Sequence, residues 1–132
     1  MTKEKILIID DDQDFRFQIR TFLESHNYSA VEAISGKDGL EKLTKEKPDL
    51  IVLDIMMETD LEGYVLNELI KFNKQYEEYK NIPILMVSSI QDDPHTKFPG
   101  SEYANLITPN KYMTKPVDYD KFLQLVEKFL KK

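Results

Sequence analysis

The sequence has 132 residues, 41% of them hydrophobic, which suits one domain with a hydrophobic core, so we expect a single domain over residues 1–132. A formal net charge of −6 disfavours direct binding to nucleic acid, and the absence of cysteine excludes disulfides and thiolate chemistry. Because the sequence contains no apolar run of membrane-spanning length and no secretory signal, we expect a cytoplasmic protein that does not bind membranes.

Short apolar runs alternate with amphipathic segments along the chain, which predicts strands that alternate with helices. The predicted elements are strand 5–9, helix 13–26, strand 29–34, a second helix that starts after Ser35 and ends before Pro48, strand 50–53, a helix near 64–78, strand 82–87, strand 111–114 and a final helix from Asp118. Residues 58–63 predict a polar loop, and the three prolines within residues 91–110 disfavour a regular helix there. This order predicts an α/β domain with a doubly wound, five-stranded parallel sheet and an irregular fourth helix region.

Two of the predicted strands end in acidic residues. Asp10 and Asp11 directly follow the strand at 5–9, and Asp54 directly follows the strand at 50–53. Binding sites in open α/β sheets lie outside the carboxyl ends of the strands, so we expect these acids in one pocket. Crowded carboxylates repel one another, and a divalent cation with oxygen ligands relieves that repulsion.

Two other strand ends supply a hydroxyl group and an amine, from Ser88 and Lys115. With the acids, they form a set that suits phosphoryl transfer: a carboxylate attacks phosphorus, and the amine and the hydroxyl neutralise the oxygens. Asp12 is expected to cap the helix at 13–26, although a register in which Asp11 and Asp12 form the acid pair stays open.

These stretches together resemble the receiver domain of two-component response regulators, over essentially the whole chain. The matching stretches are residues 6–12 (ILIIDDD), 48–56 (PDLIVLDIM), 82–89 (IPILMVSS) and 112–117 (YMTKPV). The resemblance implies a flavodoxin-like (βα)5 fold with strand order 2-1-3-4-5, the order found in chemotaxis receivers.

The resemblance also implies roles for the acidic residues. Asp54 would accept a phosphoryl group from a phosphohistidine on a sensor histidine kinase or phosphotransfer protein. Asp11 would bind Mg²⁺ directly and Asp10 through water, while Asp54 and the backbone carbonyl of Met56 would complete the protein ligands.

The remaining roles fall on the last two strands. Ser88 would be the switch hydroxyl that turns toward the phosphate, with Ser89 as the alternative. Lys115 would pair with the acyl phosphate, and the Lys115–Pro116 peptide bond would be cis. Tyr112 would either change its rotamer together with the switch hydroxyl or serve only in core packing.

Three other classes of protein fit the sequence less well. An aspartate-nucleophile phosphatase needs a second aspartate two residues after the nucleophile, where this chain has Met56. Receivers that have lost phosphorylation typically lack acids or the lysine, whereas this chain keeps them all. A nucleotide-binding protein of this fold has a glycine-rich loop after its first strand, and this chain has none there.

Apolar Met56 and Ile90 beside the site predict a long-lived phosphorylated state. We therefore expect a phosphoacceptor signalling domain, not an enzyme acting on a metabolite, whose output passes through a downstream protein.

Overall fold

The computed structural model describes residues 3–55, 57, 63–89 and 112–130, which form a parallel sheet with helices on both faces. The strands are β1 (Lys5–Ile9), β2 (Ser29–Ala33), β3 (Leu50–Asp54), β4 (Ile84–Ser89) and β5 (Tyr112–Lys115). The helices are α1 (Gln13–Ser25), α2 (Gly36–Glu46), α3 (Gly63–Phe72) and α4 (Tyr119–Leu130), and a 3₁₀ helix covers Lys74–Tyr79. All strand pairs are parallel in the order β2-β1-β3-β4-β5, which confirms the predicted fold and strand order.

Alternate residues of the central strands bury side chains on opposite faces of the sheet. Leu7 and Ile9 of β1 face a core shared with α2 and α3, while Ile6 and Ile8 face a core shared with α1 and α4. All four side chains are fully buried, as expected for a parallel strand covered on both faces. Among the described residues, no helix is both long enough and apolar enough to cross a membrane.

Side-chain caps fix where the helices begin, as predicted. The carboxylate of Asp12 accepts hydrogen bonds from the backbone N–H groups of Asp14 and Phe15 at the start of α1. Ser35 Oγ accepts from the N–H of Asp38 at 3.1 Å, and Asp118 caps α4 in the same manner as Asp12 caps α1. Asp12 therefore acts as the helix cap, and the acid pair is Asp10 and Asp11.

The segment after β3 differs from the prediction of one long helix near 64–78. Helix α3 ends at Phe72 because Asn73 adopts an extended conformation (φ −82°, ψ 130°), and its side chain accepts a hydrogen bond from the N–H of Gln75. Asn side chains compete in this way with the helical backbone, so a separate 3₁₀ helix starts at residue 74.

The fourth and fifth strands are shifted relative to their predicted ranges. Strand β4 starts at Ile84 instead of residue 82, because the N–H of Ile82 is used in a turn to the carbonyl of Tyr79 and Pro83 has no N–H. Strand β5 covers Tyr112–Lys115 and ends one residue later than predicted, while residue 111 lies outside the described residues. The predicted loop at 58–62 and the predicted irregular segment at 91–110 lie outside the described residues.

Candidate functional site

Three carboxylates meet at the carboxyl edge of the two central strands. Asp10 directly follows β1 and Asp54 ends β3, and these strands are neighbours in the sheet. One carboxylate oxygen each from Asp10, Asp11 and Asp54 lies within 4.8 Å of the others. Asp10 and Asp54 are only 1% and 5% exposed. The predicted acidic pocket is therefore present.

The acid cluster has the donors that a hard divalent cation requires. Magnesium binds carboxylate oxygens at about 2.1 Å, so oxygens about 4 Å apart can share one ion. The separations within the cluster fit this requirement with small side-chain movements. Asp10, Asp11 and Asp54 would hold the ion, whereas Met56, the fourth predicted ligand, lies outside the described residues together with Ile90.

Burial and charge act in opposite directions on Asp10. Burial of the carboxylate raises the pKa of Asp10 above its usual value, and the nearby charge of Asp11 raises it further. A hydrogen bond from the N–H of Asp12 at 2.9 Å and the ammonium of Lys115 oppose this rise without cancelling it. Asp10 therefore binds a proton more readily than a solvated aspartate does, because its charged form has lost water.

Lys115, the predicted phosphate partner, contacts the acid cluster directly. Its Nζ donates a hydrogen bond to Asp10 Oδ2 at 2.9 Å and lies 4.3 Å from the centre of the Phe15 ring. Burial lowers the pKa of Lys115, but the hydrogen bond to Asp10 and the charges of Asp10 and Asp54 outweigh it and raise the pKa. The amine is therefore a cation at neutral pH, and the Lys115–Pro116 peptide bond is cis, as predicted.

Ser88 and Tyr112, the two predicted switch residues, contact each other. Ser88 is fully buried on β4, one residue after Val87, which pairs with Asp54 across the sheet. Its Oγ lies 3.2 Å from the phenol oxygen of Tyr112 on β5. The Tyr112 ring also packs against the core, which agrees with the packing role, whereas the switch role of Tyr112 stays a prediction. The side chain of Ser89, the alternative switch hydroxyl, lies outside the described part of the chain.

Two residues at the site were not assigned a site role by the sequence. Phe15 lies within the predicted helix at 13–26, and its ring contacts the ammonium of Lys115. Gly63 was assigned to a loop, but it starts α3 against the end of β3, where its N–H donates to the carbonyl of Ile55 at 2.7 Å. A Cβ at position 63 would lie 2.6 Å from Ile55 Cα, so only glycine allows this approach beside Asp54. A glycine directly before a predicted helix was the available signal.

Comparison with known proteins points to one family. The family model for the response regulator receiver domain matches residues 6–127. The chain is 36% identical over 114 residues to the alkaline phosphatase synthesis transcriptional regulatory protein PhoP of Bacillus subtilis, a match that covers 86% of this chain and 42% of PhoP. It is 29% identical over 126 residues to Protein PilH of Pseudomonas aeruginosa, a match that covers 96% of this chain and 97% of PilH.

A solved structure agrees at the level of the fold. The chemotaxis response regulator CheY4 of Vibrio cholerae matches with a TM-score of 0.77 at 23% identity, over 98% of this chain and 100% of CheY4. Some curated relatives are much longer than the matched region, since the match to the probable transcriptional regulator ycf27 of Porphyridium aerugineum, at 38% identity, covers 70% of this chain and 35% of that protein. The receiver model nevertheless matches most of the sequence, and the acids and the lysine meet where the resemblance implied. The chain belongs to the response regulator receiver domain family of two-component signalling.

Proposed function

We propose that Asp54 accepts a phosphoryl group from a phosphohistidine of a sensor histidine kinase or phosphotransfer protein, in a reaction that depends on Mg²⁺. The observation that carries this proposal is the convergence of three carboxylates and one ammonium from three separate strand ends. A purely structural role does not account for it, because three acids within 4.8 Å of one another repel and the single ammonium offsets only one of their charges.

In the proposed reaction, a carboxylate oxygen of Asp54 forms a bond to phosphorus while the bond from phosphorus to the histidine nitrogen breaks. The electron pair of that bond stays on the imidazole. A bound Mg²⁺ would neutralise charge on the phosphoryl oxygens and help to position them. The protein supplies the buried carboxylate and a cationic Lys115 beside it, so that little reorganisation is needed when charge develops.

Ser88 and Tyr112 supply the proposed link from the site to the surface. The Ser88 hydroxyl would donate to a phosphoryl oxygen on Asp54, since the two residues lie on neighbouring strands one position out of register. That hydrogen bond would compete with the 3.2 Å contact between Ser88 and the Tyr112 hydroxyl. Rearrangement of Tyr112 on β5 would then carry the signal to a downstream protein.

The cellular setting is part of the same proposal. The domain would act in the cytoplasm as a phosphoacceptor and would not turn over a metabolite. The expectation that the chain does not itself bind nucleic acid stays a prediction, because relatives such as PhoP are named as transcriptional regulators and extend beyond the matched region.

Labelling with acetyl phosphate tests the proposal. We expect the wild type to become phosphorylated in Mg²⁺, detected by intact-protein mass, and to lose this labelling in EDTA. Asp54→Asn should abolish labelling, whereas Asp120→Asn removes an exposed acid in the first turn of α4 and should label like the wild type. Mg²⁺-independent labelling, or labelling that persists in Asp54→Asn, would contradict the proposed site.

A further inference from the structure

A buried arginine outside the predicted site holds the main chain of the acid pair. Arg16 lies on α1 and is 8% exposed. Its Nη1 donates a hydrogen bond to the carbonyl oxygen of Asp10 at 2.8 Å, and its Nε donates to Glu32 Oε1 at 2.9 Å. A guanidinium group is planar, so these two bonds fix the position of one acceptor relative to the other.

Both backbone polar groups of Asp10 depend on the end of β2. The N–H of Asp10 donates to the carbonyl of Ala33, and the carbonyl of Asp10 is bound through Arg16 to Glu32, the residue before Ala33. The carbonyl of Asp10 belongs to the peptide plane that leads into Asp11. Its orientation therefore influences the direction in which the Asp11 side chain leaves the main chain.

Glu32 provides a charged anchor for this arrangement. Its second oxygen, Oε2, accepts a hydrogen bond from Arg20 Nη1 at 2.9 Å. Burial alone would raise the pKa of Glu32, but the hydrogen bonds from Arg20 and Arg16 outweigh it and lower the pKa. Arg16 therefore faces an ionised carboxylate on one side and the main chain of the acid pair on the other.

We infer that Arg16, anchored by Glu32, is a positioning residue for the divalent-cation site. By fixing the peptide between Asp10 and Asp11, it keeps both carboxylates within reach of Asp54. This inference rests on the Mg²⁺ site of the proposed function. Groups that orient metal ligands without touching the metal typically contribute about 10- to 100-fold to metal affinity.

Arg20 offers a matched control for the test. It bonds to the same Glu32 carboxylate and carries the same charge, but within the described part of the chain its hydrogen bonds go to Glu32 and Glu24 and not to the acid pair. We expect Arg16→Gln to weaken Mg²⁺ binding about tenfold by calorimetric titration, and Arg20→Gln to stay within about twofold of the wild type. Urea unfolding in EDTA measures stability separately, and a residue that served only stability would lower the unfolding free energy without changing the Mg²⁺ affinity of the folded protein.

Conservative variants keep the test decisive where Arg16→Gln does not fold. Arg16→Lys keeps the charge but cannot span both acceptors with fixed geometry, so we expect intermediate Mg²⁺ affinity in that variant. Equal affinities of Arg16→Lys, Arg16→Gln where it folds, and Arg20→Gln would overturn the positioning role while leaving the proposed function intact. Failure of the wild type to bind Mg²⁺ would overturn both proposals.

Discussion

Replacing Asp54 by its amide should stabilise the metal-free protein. Asp54 is 5% exposed and shares a cluster with Asp10 and Asp11, so its charge is repelled by two neighbours. The substitution Asp54→Asn keeps the shape of the side chain and removes that charge. It therefore tests directly whether repulsion among the three carboxylates destabilises the folded protein when no cation is bound.

The expected magnitude follows from the geometry. Two like charges 4.8 Å apart repel by about 3.5 kcal/mol at an effective dielectric constant of about 20. Asp54→Asn removes two such repulsions but also the attraction to Lys115, which the charge of Asp54 stabilises. The attraction offsets about one of the two repulsions, so the net change in free energy is at most the size of a single repulsion. Solvent around the partly exposed Asp11 reduces it further. We expect the unfolding free energy in EDTA to rise by about 1–2 kcal/mol.

Magnesium should reverse this difference. A ligand at 100 times its dissociation constant stabilises the folded state by about 2.7 kcal/mol. The wild type should gain stability of this size in excess Mg²⁺, and Asp54→Asn should gain much less because it lacks one ligand charge. The measurement is urea unfolding followed by circular dichroism, in EDTA and in Mg²⁺ at matched ionic strength.

Asp14→Asn provides the control for net charge. Asp14 is an exposed acid in the first turn of α1, so its replacement should leave stability within about 0.5 kcal/mol and keep the full response to Mg²⁺. The reasoning fails if Asp54→Asn is less stable than the wild type in EDTA. It also fails if both proteins gain equally from Mg²⁺.

Three other substitutions test separate parts of the site. Lys115→Met should lower the unfolding free energy by about 2 kcal/mol in EDTA and by less in Mg²⁺, because Asp10 loses its buried ammonium partner; an equal loss in both buffers would contradict this. Gly63→Ala should cost about 3 kcal/mol and slow acetyl phosphate labelling, since its Cβ would displace the main chain next to Asp54; unchanged labelling would show that this contact is dispensable. The raised pKa of Asp10 means that its contribution to stability is present below the unfolded pKa and is lost as pH rises through the folded pKa. The wild type in EDTA should therefore lose stability with rising pH relative to Asp10→Asn. A pH-independent difference between the urea midpoints of the two proteins would refute this.

The parts of the fold that sequence could predict are those set by local pattern. Apolar runs such as 50–53 can satisfy burial on both faces only as central parallel strands, and parallel strands place Asp10 and Asp54 at the same edge. The break at Asn73 was missed because the apolar spacing continues through Tyr76 and Tyr79, while the break depends on one side chain that competes for a backbone N–H.

The contacts of the charged side chains were less predictable than their positions. Sequence placed Lys115 and Asp10 at one edge but assigned them to a phosphate and a metal, whereas in the structure they bind each other. The sequence did not point to Arg16 as a site residue, because its contact with Glu32 joins α1 to β2 and depends on the fold. Pairing among buried charges depends on burial and distance, which the linear pattern does not specify.

The charge of the cluster favours a divalent over a monovalent cation. With Asp10, Asp11 and Asp54 ionised and Lys115 protonated, the site carries a formal excess of two negative charges, which one divalent ion neutralises. Monovalent salt acts mainly by screening, and screening is weak for buried carboxylates. NaCl at matched ionic strength should therefore stabilise the wild type and Asp54→Asn to the same small extent, whereas Mg²⁺ should give a saturable gain in the wild type. A NaCl titration that reproduced the Mg²⁺ gain would mean that the acids respond to ionic strength and do not form a metal site.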